Sequence, residues 1–240
     1  MKVFVFTDLH GNIYALKNII KSKDYKSADV KILLGDIITF SPFTNECVDL
    51  IRKQKDLIAI LGNNDSYVVN GLTKDEEKVK YVLKLEHLNN LRQELSTKNT
   101  NYLKSLPRDF VLKQNNIEIY FTHYLWETKT ELVDDPKTYD MQDVYEVFKD
   151  VKHNIIVFGH LHKPFCYEIK NKKLVCVGSC GATYPSCYTM IEIKENQIVF
   201  ENKNIDYSYK KLKNAFKKCN DKPRQELYKI LDDEFLRKNK

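Results

Sequence analysis

Residues 2–12 read KVFVFTDLHGN. The first six are mostly β-branched or aromatic, and the run stops abruptly at Asp8, Leu9, His10 and Gly11. A short apolar run bounded by polar turn residues is a buried strand followed by a loop. The same grammar recurs twice. Residues 30–34 (VKILL) run into Gly35-Asp36, and residues 57–61 (LIAIL) run into Gly62-Asn63-Asn64-Asp65. Between these runs lie two stretches of helical spacing. One is 12–22, with Ile13, Leu16, Ile19 and Ile20; the other is 44–53, with Cys47, Val48 and Ile51. Strand, loop and helix alternate, which predicts an α/β fold whose sheet is at least partly parallel, with right-handed crossovers.

The rhythm then breaks. Residues 74–97 read as one long charged helix with a stripe of Val79, Val82, Leu88, Leu91 and Leu95. The region near 66–106 is therefore read as a helical insertion. Residues 109–122 predict two strands around the turn Gln114-Asn115-Asn116, 124–138 a polar loop and 139–150 a helix. Short strands follow at 154–158, 165–169, 174–177, 187–193 and 197–202, with spacing that suggests antiparallel pairing. Helices near 207–219 and 223–237 end the sequence. There is no internal repeat and no low-complexity linker, so residues 1–240 are read as a single domain.

Composition narrows the class. The chain is 42% apolar and 30% charged, which suits a globular protein. No apolar run approaches the roughly 20 residues of a membrane helix, so no membrane partner is expected. Asp8 and His10 interrupt the N-terminal run where a signal peptide would be continuously apolar. The six Cys form no C-x-x-C pair, and reduced thiols in the cytoplasm are expected. Cys180, in a Gly-flanked turn, is read as a small filler. Charge is uneven: residues 203–240 hold 12 Lys+Arg against 6 Asp+Glu, whereas the rest is balanced. Lys outnumbers Arg 34 to 5 and no aromatic–basic interleaving is present, so the C-terminal basic helices over 207–238 are read as solvated faces rather than a nucleic-acid site.

The chemistry gathers at strand ends. Of only seven Gly, Gly35 precedes Asp36, Gly62 precedes Asn63, Gly159 precedes His160, and Gly11 follows His10. Glycine there permits tight turns, and ligands of open α/β sheets bind beyond the carboxyl ends of strands. The polar residues at those ends are Asp8, His10, Asp36, Asn63, His123, His160 and His162. Asp8 and His10, two apart, would share a face in extended backbone, as would His160 and His162. Carboxylate, imidazole and amide oxygen together suit divalent Mn, Fe, Ni, Zn or Co, and seven ligands suit two ions rather than one. Two such ions can clamp the attacking and leaving oxygens of a phosphoryl displacement. Taken singly, each residue would more often be a cap or a satisfied polar group. His87 and His153 lack the strand-end context and are read as surface residues.

Asp8-Leu9-His10-Gly11-Asn12, Gly35-Asp36, Gly62-Asn63-Asn64-Asp65, Thr122-His123 and Gly159-His160-Leu161-His162 together resemble the calcineurin-like metallophosphoesterases. Residues 34–50 and 164–181, the latter containing Val177-Gly178-Ser179-Cys180-Gly181, look most like the small single-domain bacterial and archaeal phosphodiesterase branch. The resemblance implies a four-layer sandwich of two mixed β-sheets flanked by helices. It implies two divalent metal ions, with manganese expected first. One would be held by Asp8, His10, Asp36 and His162, the other by Asp36, Asn63, His123 and His160. A hydroxide bridging them would attack phosphorus in line. Asp36, Asn63 and His123 are thereby catalytic candidates, with Asn64 and Asp65 beside them. Asn12, Asn64 and Tyr124 are candidates to bind substrate.

Two departures from the family pattern matter. Asn64 stands where many members have His, and an amide cannot be a general acid. Asp65 is the nearest substitute. This favours phosphodiesters or activated esters. Tyr124 stands where Gly is common, and with Trp126 it could stack on a base or an aromatic leaving group. The expected partner is a small phosphate ester or nucleotide. Alternatives are a phosphomonoesterase, a nucleotide or dinucleoside polyphosphate hydrolase, and a non-catalytic scaffold of the same fold.

Overall fold

The computed structural model describes residues 1–74, 82–126, 140–195 and 197–231. Its elements begin with β1 (Lys2–Phe6), α1 (Ile13–Lys21), α2 (Lys23–Ser27), β2 (Val30–Leu33), α3 (Thr44–Arg52), β3 (Leu57–Ala59) and α4 (Asn63–Val69). There follow α5 (Val82–Glu94), α6 (Thr97–Lys104), β4 (Asp109–Gln114), β5 (Ile117–Thr122), α7 (Met141–Phe148) and β6 (Ile155–Phe158). The remainder is β7 (Phe165–Ile169), β8 (Lys172–Cys176), β9 (Ser186–Lys194), β10 (Gln197–Ile205), α8 (Tyr209–Lys218) and α9 (Lys222–Leu231).

Two mixed five-stranded sheets result, ordered β10-β9-β1-β2-β3 and β4-β5-β6-β8-β7. Strand periodicity explains why they face each other. In β1, Val3 and Val5 point one way and Phe4 and Phe6 the other, and all four are fully buried. Val3 and Val5 join Ile32, Ile119, Phe121, Val157 and Val175 in the core between the sheets. Phe4 and Phe6 instead pack with Leu16 and Ile19 of α1 and Val48 and Ile51 of α3. On the far side, Val144, Val147 and Phe148 of α7 cover Ile156, Phe158 and Leu174. The order of layers is helices, sheet, sheet, helix.

Several sequence expectations need correction. β6 runs parallel to both β5 and β8, so the strands after residue 154 are not uniformly antiparallel; β7–β8, β9–β10 and β9–β1 pair that way. Of the expected long helix, α5 ends at Glu94, and Ser96 caps a second helix, α6, by accepting from the Asn99 N–H. Val79 lies outside the described residues, as do 127–138 of the expected loop, residue 139 of the helix expected after it and 232–237 of the last helix. Val82 is 79% exposed and is not part of the buried stripe, which holds Leu88, Leu91 and Leu95. His87 and His153 are buried rather than on the surface. His87 lies on the packed face of α5, and His153 stacks on Tyr120 with ring centroids 5.5 Å apart. Cys180 is fully buried in the core beneath its turn.

Candidate metal centre

The seven strand-end residues converge where loops from the two sheets meet. Asp8 and His10 follow β1, Asp36 follows β2, and Asn63 opens α4 after β3; His123 follows β5, and His160 and His162 follow β6. Asp8, His10 and His162 each offer a ligand atom, and these atoms lie within 4.8 Å of one another. The same holds for Asp36, His123 and His160. Asp36 Oδ2 is 3.5 Å from His123 Nε2 and 4.0 Å from His10 Nε2, so it stands between the two groups. Asn63 Oδ1 is 2.9 Å from His123 Nε2 and 2.8 Å from His160 Nδ1.

The loops do not have the extended backbone read from the spacing. Asp8, His10, Asp36, His160 and His162 all have φ between +49° and +68°. This left-handed region is uncommon for side chains other than Gly, Asn, Asp and His. Interlocked backbone bonds hold it. Asp8 N–H donates to Gly35 O at 3.1 Å and His10 N–H to Asp36 O at 2.9 Å. Gly181 N–H and Ser179 Oγ both donate to Asp8 O, at 3.0 and 2.9 Å. His160 N–H donates to Asp8 Oδ2 at 2.9 Å, joining one sheet's loop to the other's. Close approach also requires glycine at Gly62: a Cβ there would sit 2.2 Å from Asp36 Oδ1.

Hydrogen bonds fix what the ligands present. His123 Nδ1 faces Leu34 O at 2.7 Å. A carbonyl only accepts, so Nδ1 carries the proton, and Nε2 of a neutral ring offers its lone pair toward Asn63 Oδ1. A divalent cation in place of the Nε2 proton would meet a lone pair from the ring and another from Asn63 Oδ1. His10 Nε2 and His162 Nε2 likewise meet at 2.9 Å, while Thr39 Oγ1 holds His10 Nδ1 at 2.9 Å. Nitrogen and oxygen donors in this mix fit first-row divalent ions.

The charges agree with that fit. Burial, then the His162 charge, pushes His10 down to about 3. Burial, then His123, pushes His160 down to about 4. Burial also lowers His123, but Asp36 and Asp8 more than reverse it, and it is pushed up to about 9. Burial opposes the Asp36 charge, yet His123, His10 and His160 hold that carboxyl far below the usual range. The two carboxylates thus draw a positive charge into the centre.

The other candidates take different places. Asn12 is fully buried: its Oδ1 accepts from Ala15 N–H at 3.1 Å, capping α1, and its Nδ2 donates to Gly181 O at 3.0 Å. Its side chain is committed to backbone. Asp65, also fully buried, accepts from the N–H groups of Ile37, Ile38 and Gly62. It braces the Asp36 loop from behind, and burial with the Asp36 charge pushes it up to about 7. Asn64 faces the centre, its N–H and Nδ2 reaching Asp36 Oδ1 and Oδ2 at 2.8 and 2.5 Å. The Tyr124 ring stacks on His160, centroids 4.8 Å apart. Arg108 lies over the Trp126 ring at 4.6 Å. Sequence reasoning missed three side chains here. Thr39 orients His10, Thr7 donates to Asp8 Oδ2 at 2.8 Å, and Lys84 donates to Asn64 Oδ1 at 2.7 Å. The threonines follow no spacing rule, and Lys84 is one of four lysines between residues 74 and 84.

Comparison with known proteins follows from this geometry. A family model for the calcineurin-like phosphoesterase superfamily domain matches residues 1–196. The chain is 28% identical over 176 residues to an uncharacterized protein of Methanocaldococcus jannaschii, covering 68% of this chain and 63% of that one. It therefore spans less than two thirds of that relative's length. It is 25% identical over 189 residues to a probable cyclic nucleotide phosphodiesterase of Xenorhabdus bovienii, covering 72% of each. A solved structure of a hypothetical protein from Pyrococcus horikoshii OT3 is similar with a TM-score of 0.76 and 19% identity, covering 96% of this chain and 97% of that one. At that identity the likeness is one of fold.

Proposed function

The chain belongs to the calcineurin-like phosphoesterase superfamily, a family of metal-dependent phosphoester hydrolases, and on that footing we propose that it is a phosphodiesterase working with two divalent cations, manganese first among them. The observation that carries the reading is the pair of ligand groups on either side of Asp36. Asp8, His10 and His162 would hold one ion and Asp36, Asn63, His123 and His160 the other. When bound, such ions polarise phosphoryl oxygens and lower the pKa of water.

The chain's own residues supply the rest. Leu34 O and Thr39 Oγ1 lock the two ligand imidazoles in orientation. Asn64 holds both Asp36 oxygens, and its amide has no proton to give a leaving group. Asp65 is occupied by backbone donors. Esters whose leaving group departs without a proton are therefore the favoured substrates; the name of the Xenorhabdus relative, a probable cyclic nucleotide phosphodiesterase, supports the diester class alone. A small phosphate diester or nucleotide is the proposed partner. Among the described residues no helix is long and apolar enough to cross a membrane. Six free cysteines support a reducing compartment, and the cytoplasm is the proposed location.

The test is turnover of bis(p-nitrophenyl) phosphate beside p-nitrophenyl phosphate, cyclic nucleotides and dinucleoside polyphosphates. We expect Mn²⁺-dependent cleavage of a diester, abolished by Asp36→Asn and by His123→Ala. Preference for monoesters or polyphosphates would move the assignment within the family. No turnover with Mn²⁺, Ni²⁺, Co²⁺ or Zn²⁺, and no bound metal after soaking, would make the chain a scaffold.

A further inference from the structure

Helix α5 lies outside the strand–loop grammar that builds the metal centre, yet it sends one side chain into it. Lys84, Leu88 and Leu91 fall at i, i+4 and i+7 and share the buried face of α5. Leu88 and Leu91 are fully buried in the main core. Lys84, at the same register, is only 9% exposed. Burying an ammonium where a third leucine would serve costs stability unless the charge has a task.

One partner of Lys84 is Asn64, at the metal centre. Its Nζ donates to Asn64 Oδ1 at 2.7 Å, and Asn64 Nδ2 reaches Asp36 Oδ2 at 2.5 Å. An ammonium only donates and a carboxylate only accepts, so these two groups together dictate which way the Asn64 amide points. The ammonium also lies 5.0 Å from the centroid of Phe40, whose ring is 4.6 Å from that of His10. Lys84 thus stands one amide away from Asp36, beside both ligand groups. Among the described residues it is the one lysine or arginine that hydrogen-bonds a residue of the centre. The helix that carries it is braced. Arg92 donates to Val68 O and Tyr67 O of α4, and Arg224 of α9 donates to Glu94 at 2.7 Å.

We propose that Lys84 is a substrate-binding residue whose ammonium, held over Asn64, contacts a non-bridging oxygen of the phosphoryl group at the metal centre. The proposal rests on the phosphoesterase reading above. It assigns the insertion a concrete task, since a dianionic or monoanionic phosphoryl group needs fixed positive charge beyond the cations themselves.

Three variants separate the ways Lys84 could matter. Lys84→Arg keeps the charge. Lys84→Gln keeps a donor for Asn64 and loses the charge. Lys84→Met loses both. Each would be loaded with Mn²⁺, checked for metal content by mass spectrometry and for thermal melting, and titrated with inorganic phosphate by calorimetry. Metal content should match the unsubstituted protein throughout. Phosphate affinity should fall by about tenfold in Lys84→Gln and Lys84→Met, and stay within about threefold in Lys84→Arg. The KM for bis(p-nitrophenyl) phosphate should rise in parallel. Unchanged phosphate affinity in Lys84→Gln, with loss only in Lys84→Met, would overturn the proposal and leave Lys84 as a positioning residue for Asn64. So would absence of phosphate binding by the unsubstituted protein. A protein that binds phosphate through Lys84 but cleaves no ester would retire the phosphodiesterase reading alone. Normal cleavage and phosphate binding in Lys84→Gln would retire the Lys84 proposal alone.

Discussion

Asp8, His10, Asp36, His160 and His162 hold a backbone conformation that costs an L-residue energy wherever it appears. That these residues gather at one place was legible in the sequence because each closes an apolar strand and several have glycine beside them. The left-handed turns were not, since D-x-H reads equally well as extended chain. What decides between the two is a set of bonds from remote residues, Gly35, Asp36, Ser179 and Gly181, which no local pattern reveals. This strain makes a prediction at His162, where φ is +56°. His162→Gly and His162→Ala both delete the ligand, but only Gly relieves the turn. Metal-free His162→Gly should be more stable than metal-free His162→Ala by about 1 kcal/mol. Equal urea midpoints would show that this turn stores no strain. Lys84 was illegible for another reason. With Lys74, Lys78, Lys80 and Lys84 all within one charged stretch of sequence, nothing but packing reveals that Lys84 turns inward.

At the level of elements, strand–helix alternation up to residue 61 was readable because both faces of β1 and β2 are buried, which gives unbroken apolar runs. Strand direction after residue 154 was not readable. Short strands with polar turns look antiparallel, but β6 takes parallel partners on both sides through contacts far along the chain. The face of α5 was half readable: Leu88 and Leu91 announced it, and His87 beside them was taken for surface. In the fold His87 is fully buried, with neither ring nitrogen hydrogen-bonded among the described residues. Asp221 approaches its Nδ1 to 3.9 Å, and Lys84 and Arg224 stand near. Burial first, then those two cations, pushes His87 from 6.5 down to about 2. The native state therefore keeps His87 neutral while the unfolded chain protonates it below pH 6.5. Its contribution is intact above that pH and is lost as pH falls, reaching about 2 kcal/mol by pH 5. His87→Leu removes the titration without breaking a hydrogen bond. Urea midpoints measured from pH 8 to 5 should fall less steeply in this variant than in the unsubstituted protein. Parallel curves would mean that His87 is protonated in the fold.

Across the whole molecule, the candidate metal centre joins the two sheets. Asp8, His10, Asp36 and Asn63 come from loops of the first sheet, and His123, His160 and His162 from loops of the second. Each ligand group draws on both: His162 closes the first and His123 with His160 the second. An ion bound in either group is therefore a cross-link between layers that otherwise touch through an apolar core of Val, Ile and Phe. Separating the sheets would pull either group apart, so an ion held there would bind the native state and not the unfolded one. Such a ligand stabilises by mass action, by about 2.7 kcal/mol per site at a hundredfold excess over Kd. For a chain of this size 1 kcal/mol shifts Tm by about 2–4 °C, so each filled site should raise Tm by about 5–10 °C. Scanning calorimetry with Mn²⁺, then with excess EDTA, should show the rise and its reversal. His162→Ala, which opens only the first group, should retain part of the shift, and Asp36→Asn, which stands between both, should retain less. A Tm indifferent to Mn²⁺ and to EDTA would mean that the loops meet without gripping an ion, and the sheets would then owe their pairing to the apolar core alone.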